Sequence, residues 1–167
     1  RDDRNVHGYY SMATPGYVDA IGKAWERYGT MGWADLLGPA IELAGRGLPV
    51  NFMTTIRIAA AMKELRNFPE SRKVYLPDGV VPVPELGQPI PHIPVGNLQV
   101  TLERLAMAGH RDFYDGDIAV QIAKDVQAGG GSLRVDDLAV YKAMEVDPLS
   151  RNYGGGTVHT PPGMTAG

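Results

Sequence analysis

Apolar residues recur at helical spacing through the first third of the chain. One stripe runs over 18–28, where Thr14 and Pro15 are expected to start the helix. A second stripe runs over 33–44, and Gly38–Pro39 is expected to kink or restart the helix there. Each stripe ends or begins with a tryptophan, and we expect both indoles, Trp25 and Trp33, to be largely buried.

A third amphipathic helix is predicted to begin at Asn51, which is a good N-cap residue. Its core face would be formed by Ile58, Ala61, Met62 and Leu65. The six prolines of 77–96 fix φ and remove hydrogen-bond donors, so this stretch is expected to be an extended surface excursion. It would connect two helical halves of the chain.

Helical spacing returns after the proline-rich stretch. A helix is predicted from Asn97 to Gly109, with Leu98, Leu102 and Leu105 facing inward. A second helix is predicted over 115–128, stopped by three glycines. A short capped turn over 136–141 completes this half.

The pattern changes near the C-terminus, where two short extended segments replace the helices. Met144–Leu149 and Gly156–Thr160 are predicted strands on either side of a glycine-rich bend. Strand pairing is thus expected only near the C-terminus, and the last strand has a single local neighbour. The prediction is an α+β fold that is mainly helical and belongs to a larger sheet-containing protein.

Composition narrows the class of protein without assigning a function. With 44% apolar residues, 167 residues make a globular piece of one domain's size. A net charge of -3 and a pI near 5.8 offer no basic field, so no nucleic-acid partner is predicted. No apolar run approaches the roughly 18 residues of a membrane span. The compartment stays open: it is periplasmic or extracellular if a signal peptide lies upstream, and the cytoplasm is the alternative.

Two glycine runs and one aspartate cluster were weighed as ligand sites. Gly129–Gly131 follows a helix and lacks the Lys-Ser/Thr of a phosphate loop, which indicates a helix C-cap. Gly154–Gly156 indicates a tight bend between strands. Asp112, Asp115 and Asp117 have neither the register nor the closing glutamate of an EF-hand, which favours helix capping over calcium binding.

No catalytic, cofactor-binding or metal-binding residue is assigned from the pattern. The four histidines are scattered, and the chain has no cysteine, so no metal site is predicted. No serine lies in a Gly-x-Ser-x-Gly elbow. Thr54–Thr55 falls within the third helix, where a hydroxyl is expected to bond back to its own helix or to face solvent.

Two long motifs carry a family resemblance. "ATPGYVDAIGKAWERYGTMGWADLLGPAIELAGRGLPV" and "FYDGDIAVQIAKDVQAGGGSLRVDDLAVY", residues 13–50 and 113–141, occur in the order found in the large-subunit region of γ-glutamyltransferases. The chain resembles this family, which belongs to the N-terminal-nucleophile hydrolases, over nearly its whole length. On this resemblance, the glycines and prolines of the first motif end or interrupt helices, as in the family, and do not form a ligand-binding loop.

The resemblance implies an αββα fold made as a precursor that cuts itself and exposes a catalytic threonine. That threonine would begin a small subunit downstream of Gly167, and the arginine that grips the donor carboxylate would lie upstream of Arg1. The final strand would enter a central sheet completed by the small subunit. The C-terminus departs from the family pattern, because Thr160–Gly167 lacks the usual serine pair.

The resulting hypothesis is that 1–167 is one fragment of a large subunit. It divides into a helical half (1–76), the proline-rich excursion (77–96), a second helical half (97–142) and a strand-forming end (143–167). The expected partners are the small subunit and a γ-glutamyl substrate, with no cofactor. The alternatives are a non-catalytic helical interaction domain and a homologue that acts as a β-lactam acylase.

Overall fold

The computed structural model describes residues 5–163 and has an α+β fold dominated by helices. The helices are α1 (Tyr17–Tyr28), α2 (Trp33–Arg46), α3 (Phe52–Ala60), α4 (Met62–Leu65), α5 (Pro69–Tyr75), α6 (Leu98–Ala108), α7 (Asp112–Asp115), α8 (Asp117–Ala128) and α9 (Val135–Ala139). The strands are β1 (Leu48–Pro49), β2 (His92–Ile93), β3 (Leu149–Tyr153) and β4 (Gly156–Thr160). Short 3₁₀ turns lie at Tyr9–Ser11 and Pro77–Gly79.

The buried apolar residues form two separate clusters. The larger is built on α7, α8 and α9, and its centre consists of Tyr114, Ala119, Val126, Leu133 and Leu138. The smaller lies between α3, α5 and the two short strands, and its centre consists of Val50, Ile58, Leu76 and Ile93. Helix α2 packs along α6, and it leads directly into the chain that forms the smaller cluster.

Strand pairing is not confined to the C-terminus, and that prediction is wrong. The proline-rich excursion returns at β2, which pairs antiparallel with β1, so that Leu48 faces Ile93 and Pro49 faces His92. Val50 N–H also donates to Pro91 O at 2.8 Å. Each strand is only two residues long, and β1 contains a proline, so neither has a recognisable strand pattern.

The first two helices form where expected but differ from the prediction at their starts and breaks. Helix α1 begins at Tyr17 with Gly16 as its N-cap, and Pro15 stays outside because its carbonyl accepts a hydrogen bond from the Tyr114 hydroxyl at 2.7 Å. Helix α2 continues through Pro39 without a restart. Asp35 and Pro39 are both exposed, so water can satisfy the Asp35 carbonyl that the proline ring leaves without a donor.

The third predicted helix starts as expected and then breaks. Asn51 is its N-cap, and the side-chain carbonyl oxygen accepts a hydrogen bond from Thr54 N–H at 3.0 Å. The predicted single stripe is divided between α3 and α4, because the helix is interrupted at Ala61. Ile58 is buried as expected, whereas Ala61, Met62 and Leu65 are half-buried.

In the second half, the predicted bounds hold for α6 and for β4, Gly156–Thr160, and shift for the other elements. Leu105 of α6 is buried and Leu102 half-buried, but Leu98 is 46% exposed, so its predicted inward orientation is wrong. The helix predicted from residue 115 begins at Asp117, because α7 closes before it as a separate turn. The first C-terminal strand is Leu149–Tyr153 instead of Met144–Leu149.

The two tryptophans are half-buried, not largely buried as predicted. Their ring centroids lie 5.4 Å apart, and each indole N–H donates to a backbone carbonyl. Trp33 Nε1 donates to Leu105 O at 2.9 Å, which joins α2 to α6, and Trp25 Nε1 donates to Met31 O at 2.8 Å. The two rings therefore cover the place where α1, α2 and α6 meet, outside the larger apolar cluster.

Candidate functional site

The most densely hydrogen-bonded group in the described chain is the Arg111 guanidinium. Nη1 donates to Asp19 Oδ1 at 2.7 Å and to Tyr141 O at 3.2 Å. Nη2 donates to Asp115 Oδ2 at 3.1 Å and to Ala139 O at 3.4 Å, and Nε donates to the same Asp115 oxygen at 3.3 Å. An arginine carries five N–H donors, and all five are used within the chain.

Asp19 is the buried counter-charge of this centre. Its Oδ1 binds Arg111, and its Oδ2 accepts a hydrogen bond from Ala143 N–H at 2.7 Å. Burial acts to raise the pKa of Asp19, but the Ala143 N–H and the Arg111 guanidinium outweigh it and leave the pKa below its ordinary value. The carboxylate is therefore held in its charged form at neutral pH and serves as an anchor.

Tyr114 completes the centre from the core side. Its hydroxyl accepts a hydrogen bond from Asp19 N–H at 3.0 Å and donates one to Pro15 O at 2.7 Å. The Arg111 guanidinium carbon lies 4.8 Å from the centre of the Tyr114 ring, and the Tyr141 ring stacks at 5.6 Å. Burial raises the pKa of the Tyr114 hydroxyl, which keeps it protonated.

This centre, named here the Asp19–Arg111 centre after its ion pair, fixes geometry and leaves no group for a substrate. A guanidinium that grips a substrate carboxylate needs free N–H donors, and those of Arg111 are all satisfied internally. The Tyr114 hydroxyl likewise uses its hydrogen on Pro15. The arrangement instead joins α1, α7 and the chain that follows α9.

The three aspartates that were weighed for calcium are shared between two arginines. Arg104 Nη2 lies 2.6 Å from Asp112 Oδ1 and 2.9 Å from Asp117 Oδ2, whereas Asp115 pairs with Arg111. Asp112 Oδ2 also accepts a hydrogen bond from Ile118 N–H at 3.3 Å, so it caps the start of α8 as expected. The Arg104 hydrogen bond is the main cause that lowers the pKa of Asp112.

Both glycine runs have the predicted structural roles. Gly129 is the C-cap of α8, and Gly130 has φ of 85°. Gly154 and Gly155 have φ of 57° and 81°, which is the type I′ geometry of a two-residue hairpin loop between β3 and β4.

The hydroxyls of Thr54 and Thr55 neither bond back within their helix nor face solvent unpartnered, so that prediction is wrong. Thr54 Oγ1 donates to Pro49 O, and Thr55 Oγ1 donates to Pro82 O, both at 2.9 Å. These bonds attach α3 to β1 and to the proline-rich excursion. In 5–163, no three His, Asp or Glu side chains come close enough together to hold a metal ion.

One serine–histidine pair has the distance of a nucleophile and its base. Ser150 Oγ lies 2.7 Å from His159 Nδ1 across the β3–β4 hairpin. A catalytic pair needs a third group that orients the imidazole and a site that excludes water. Both residues are exposed, and within the described residues no hydrogen bond reaches the other ring nitrogen of His159. The pair is a cross-strand contact.

The hairpin itself is amphipathic and exposed on both faces. Leu149, Tyr153 and Val158 lie on one face together with Arg151, and these three apolar side chains are more than half exposed. The opposite face carries the Ser150–His159 pair and a 2.9 Å bond from Thr157 Oγ1 to Asn152 Oδ1. Within residues 5–163, β4 pairs with β3 alone, as the sequence predicted, and no other strand lies along the outer edge of either one.

Comparison with known proteins places these features in a family. The sequence profile described as gamma-glutamyltranspeptidase matches residues 1–167, the whole chain. The chain belongs to the γ-glutamyltranspeptidase family. The glutathione hydrolase proenzyme of Escherichia coli is 32% identical over 168 residues, which covers 98% of this chain and 28% of that protein. The resemblance inferred from the two motifs is thereby confirmed.

Solved structures of γ-glutamyltranspeptidase relatives share the fold. The γ-glutamyltranspeptidase of Helicobacter pylori superposes with a TM-score of 0.87 at 24% identity and covers 97% of this chain and 45% of its own. The cephalosporin acylase of Bacillus halodurans superposes with a TM-score of 0.80 at 27% identity and covers 93% of this chain and 30% of its own. The α+β fold class is confirmed, and the chain spans less than half the length of these relatives.

The Asp19–Arg111 centre was not anticipated from the sequence. Its two charged residues lie 92 positions apart, and the third segment of the centre contributes backbone groups and the stacked Tyr141 ring. A single sequence carries no signal for such a contact. In the described range, no helix has the length and apolar character needed to cross a bilayer.

Proposed function

We propose that this chain is the scaffold segment of a γ-glutamyltransferase-like large subunit. The complete protein would cleave a γ-glutamyl amide of the glutathione type through a threonine acyl-enzyme and pass the acyl group to water or an amino acid. The match of the whole chain to the γ-glutamyltranspeptidase family carries this proposal. The chain would act as one fragment, with the divisions 1–76, 77–96, 97–142 and 143–167 predicted from its sequence.

All N–H donors of the Arg111 guanidinium are hydrogen-bonded within the chain, which supports a non-catalytic role for this segment. A γ-glutamyl donor carries an α-carboxylate that needs a free cation, and the most buried arginine described here offers no unused N–H group. We therefore assign no catalytic residue to this chain. The nucleophilic threonine would be supplied by a small subunit cut from the same precursor.

The exposed hairpin supports the proposed partnership. Two strands with open edges and an apolar face are rarely stable alone in water, and they gain stability when a sheet is completed beside them. The small subunit would supply that sheet. No nucleic-acid partner is proposed, because the chain carries a net charge of -3.

The similarity to the cephalosporin acylase favours one second candidate, an acylase that cleaves the side-chain amide of a β-lactam. The same scaffold would serve both reactions, because the acyl group is recognised by residues outside this segment. A non-catalytic interaction domain is the remaining alternative. It would retain this fold without a functional threonine.

Expression of the longer precursor tests the proposal. We expect two chains on a denaturing gel, with threonine at the new N-terminus of the smaller one, and release of the aniline from a γ-glutamyl anilide. Preference for a glutaryl or adipyl β-lactam amide would support the acylase instead. A precursor that stays uncut and inactive on both substrates would contradict both enzyme assignments and favour the interaction domain.

A further inference from the structure

Three charged side chains on one face of α1 bind the chain that precedes the hairpin. Asp19, Lys23 and Arg27 follow one another at intervals of four residues and therefore form a row along the helix. Asp19 Oδ2 accepts from Ala143 N–H at 2.7 Å, and Lys23 Nζ donates to Ala143 O at 2.8 Å. Arg27 pairs with Glu145. The segment 143–147, named here the strap, thus lies along α1.

The row holds the strap less firmly toward its outer end. Asp19 is buried, and the side chains of Lys23 and Arg27 are 43% and 58% exposed. Exposed ion pairs contribute less than buried ones because water and salt screen them. Residue 143 is therefore fixed on both its backbone groups, while Glu145 is held only through exposed side chains.

Packing does little to hold the strap beyond residue 143. Met144 is 87% exposed and Val146 is 63% exposed, so neither is held in place by burial. The strap has no regular secondary structure between Ala143 and β3. The polar row on α1 is therefore the main constraint on the direction of this segment.

The direction of the hairpin depends on the direction of the strap that precedes it. In the part of the chain that the structure describes, the hydrogen bonds between side chains of the hairpin join β3 to β4. Its extensive packing contacts are also those between its own two strands. A small change in the strap direction would swing the tip of the hairpin, because the tip lies several residues beyond the last fixed point.

We propose that Lys23 and Arg27 are positioning residues that set the angle at which the hairpin leaves the helical body. This inference rests on the proposed function, in which the hairpin joins the sheet that carries the threonine. Asp19 has a different part, because it anchors residue 143 and belongs to the buried centre. Loss of Asp19 should unfold the region, whereas loss of Lys23 or Arg27 should misdirect a hairpin that still forms.

The groove between α1 and the strap is lined by the same side chains, which argues against a ligand site there. Its charged groups are Lys23, Arg27, Glu145 and Asp147. Lys23 Nζ and Arg27 Nη1 both approach Glu145, the lysine at 3.9 Å, so each cation already has a carboxylate partner within the chain. The row is accordingly a connection between two segments of the protein.

A distance measurement on this chain tests the positioning directly. The sequence has no cysteine, so Lys124→Cys on α8 and Arg151→Cys on β3 provide the only two sites for spin labels. We expect one narrow interspin distance peak in the parent chain and loss of that peak in the Lys23→Met/Arg27→Met variant. Arg46→Met is the matched control, because it removes an exposed arginine that pairs with Glu42 on α2.

Two further results would show whether the narrow distance peak is lost because the cations opposite Glu145 are missing. Arg27→Lys retains a cation opposite Glu145 and should keep the narrow peak. An unchanged peak in the double methionine variant would overturn the proposal. So would equal broadening in Arg46→Met, because the hairpin would then respond to any loss of surface charge.

The longer precursor gives the functional readout. We expect Lys23→Met/Arg27→Met to slow self-cleavage and to lower kcat by up to about 100-fold, since a ~1 Å misplacement of reacting groups can cost that much. KM and the melting temperature should change little. Full activity in the variant would overturn the positioning role. An inactive parent precursor would overturn the proposed function instead, and the distance measurement would then decide the positioning alone.

Discussion

Asp19 and Arg111 are 92 residues apart in the sequence and form a 2.7 Å ion pair in the interior of the fold. Asp19 lies on α1 and Arg111 immediately before α7, so this contact joins the first helix to the main core. The second oxygen of Asp19 binds Ala143 N–H, where the chain leaves the core for the hairpin. One carboxylate therefore connects three distant segments.

Removal of Asp19 should destabilise the chain strongly. Asp19→Ala leaves the partly buried Arg111 guanidinium with Asp115 alone and leaves Ala143 N–H without its acceptor, so the loss should approach the roughly 3–5 kcal/mol that breaking a buried pair costs. Glu42→Ala is the control, because its exposed pair with Arg46 is worth about 0.2–1 kcal/mol. Urea unfolding measures both. Equal losses in the two variants would mean that the Asp19–Arg111 centre is not a principal support.

Stability should fall in acid because the pKa values of Asp19 and Asp112 are lowered in the folded chain. A lowered folded pKa contributes stability that is present above the ordinary value of 3.8. That contribution is lost as pH falls from this value through the folded pKa. Asp112→Asn should be less stable at pH 7 and show a shallower loss below pH 3.8. The prediction would be wrong if urea titrations showed the free energy of unfolding falling equally steeply in acid for Asp112→Asn and for the parent chain.

The two indole N–H groups should differ in their contribution. Trp33→Phe keeps an aromatic ring but leaves the partly buried Leu105 carbonyl without its donor, which should cost about 1–3 kcal/mol. Trp25→Phe removes an exposed hydrogen bond to Met31 O, where water can replace the indole. Trp25→Phe is therefore expected to lower the free energy of unfolding less than Trp33→Phe does in the same urea assay. The reverse order would show that α2 and α6 are not joined through Trp33.

The hairpin loop should depend on its second glycine. Gly155 has φ of 81°, and an L-residue in the left-handed region costs roughly 1–2 kcal/mol. Gly155→Val should therefore speed hydrogen exchange at the Val158 amide. Gly154→Asn creates an Asn–Gly loop, which suits a type I′ turn, and should leave exchange nearly unchanged. Slow exchange in the valine variant would contradict the assigned turn.

The sequence predicted those parts of the fold that depend on local periodicity and local caps. The stripe over 18–28 predicted α1, Asn51 capped α3, and the glycines before Gly156–Thr160 predicted a bend. These features arise from residues within one or two turns of one another. Such signals are strong enough to survive the surrounding tertiary structure.

The features that were missed depend on contacts between distant residues. Strands β1 and β2 are held by each other, although their paired residues are distant in the sequence, and they have no pattern of their own. Leu98 belongs to an apolar stripe, yet the end of α6 that carries it is not covered. The Asp19–Arg111 centre has the same character, because its partners come together only after the helices have packed.

The central claim is that this chain supports a γ-glutamyl active site without supplying its reacting groups. An assay of the purified 167-residue chain and of the longer precursor on the same γ-glutamyl anilide tests it most directly. We expect release of the aniline by the precursor and none by the chain alone, whose most buried arginine is fully bonded within the fold. Release by the isolated chain above an enzyme-free control would contradict the account, because a catalytic group would then have to lie within these residues.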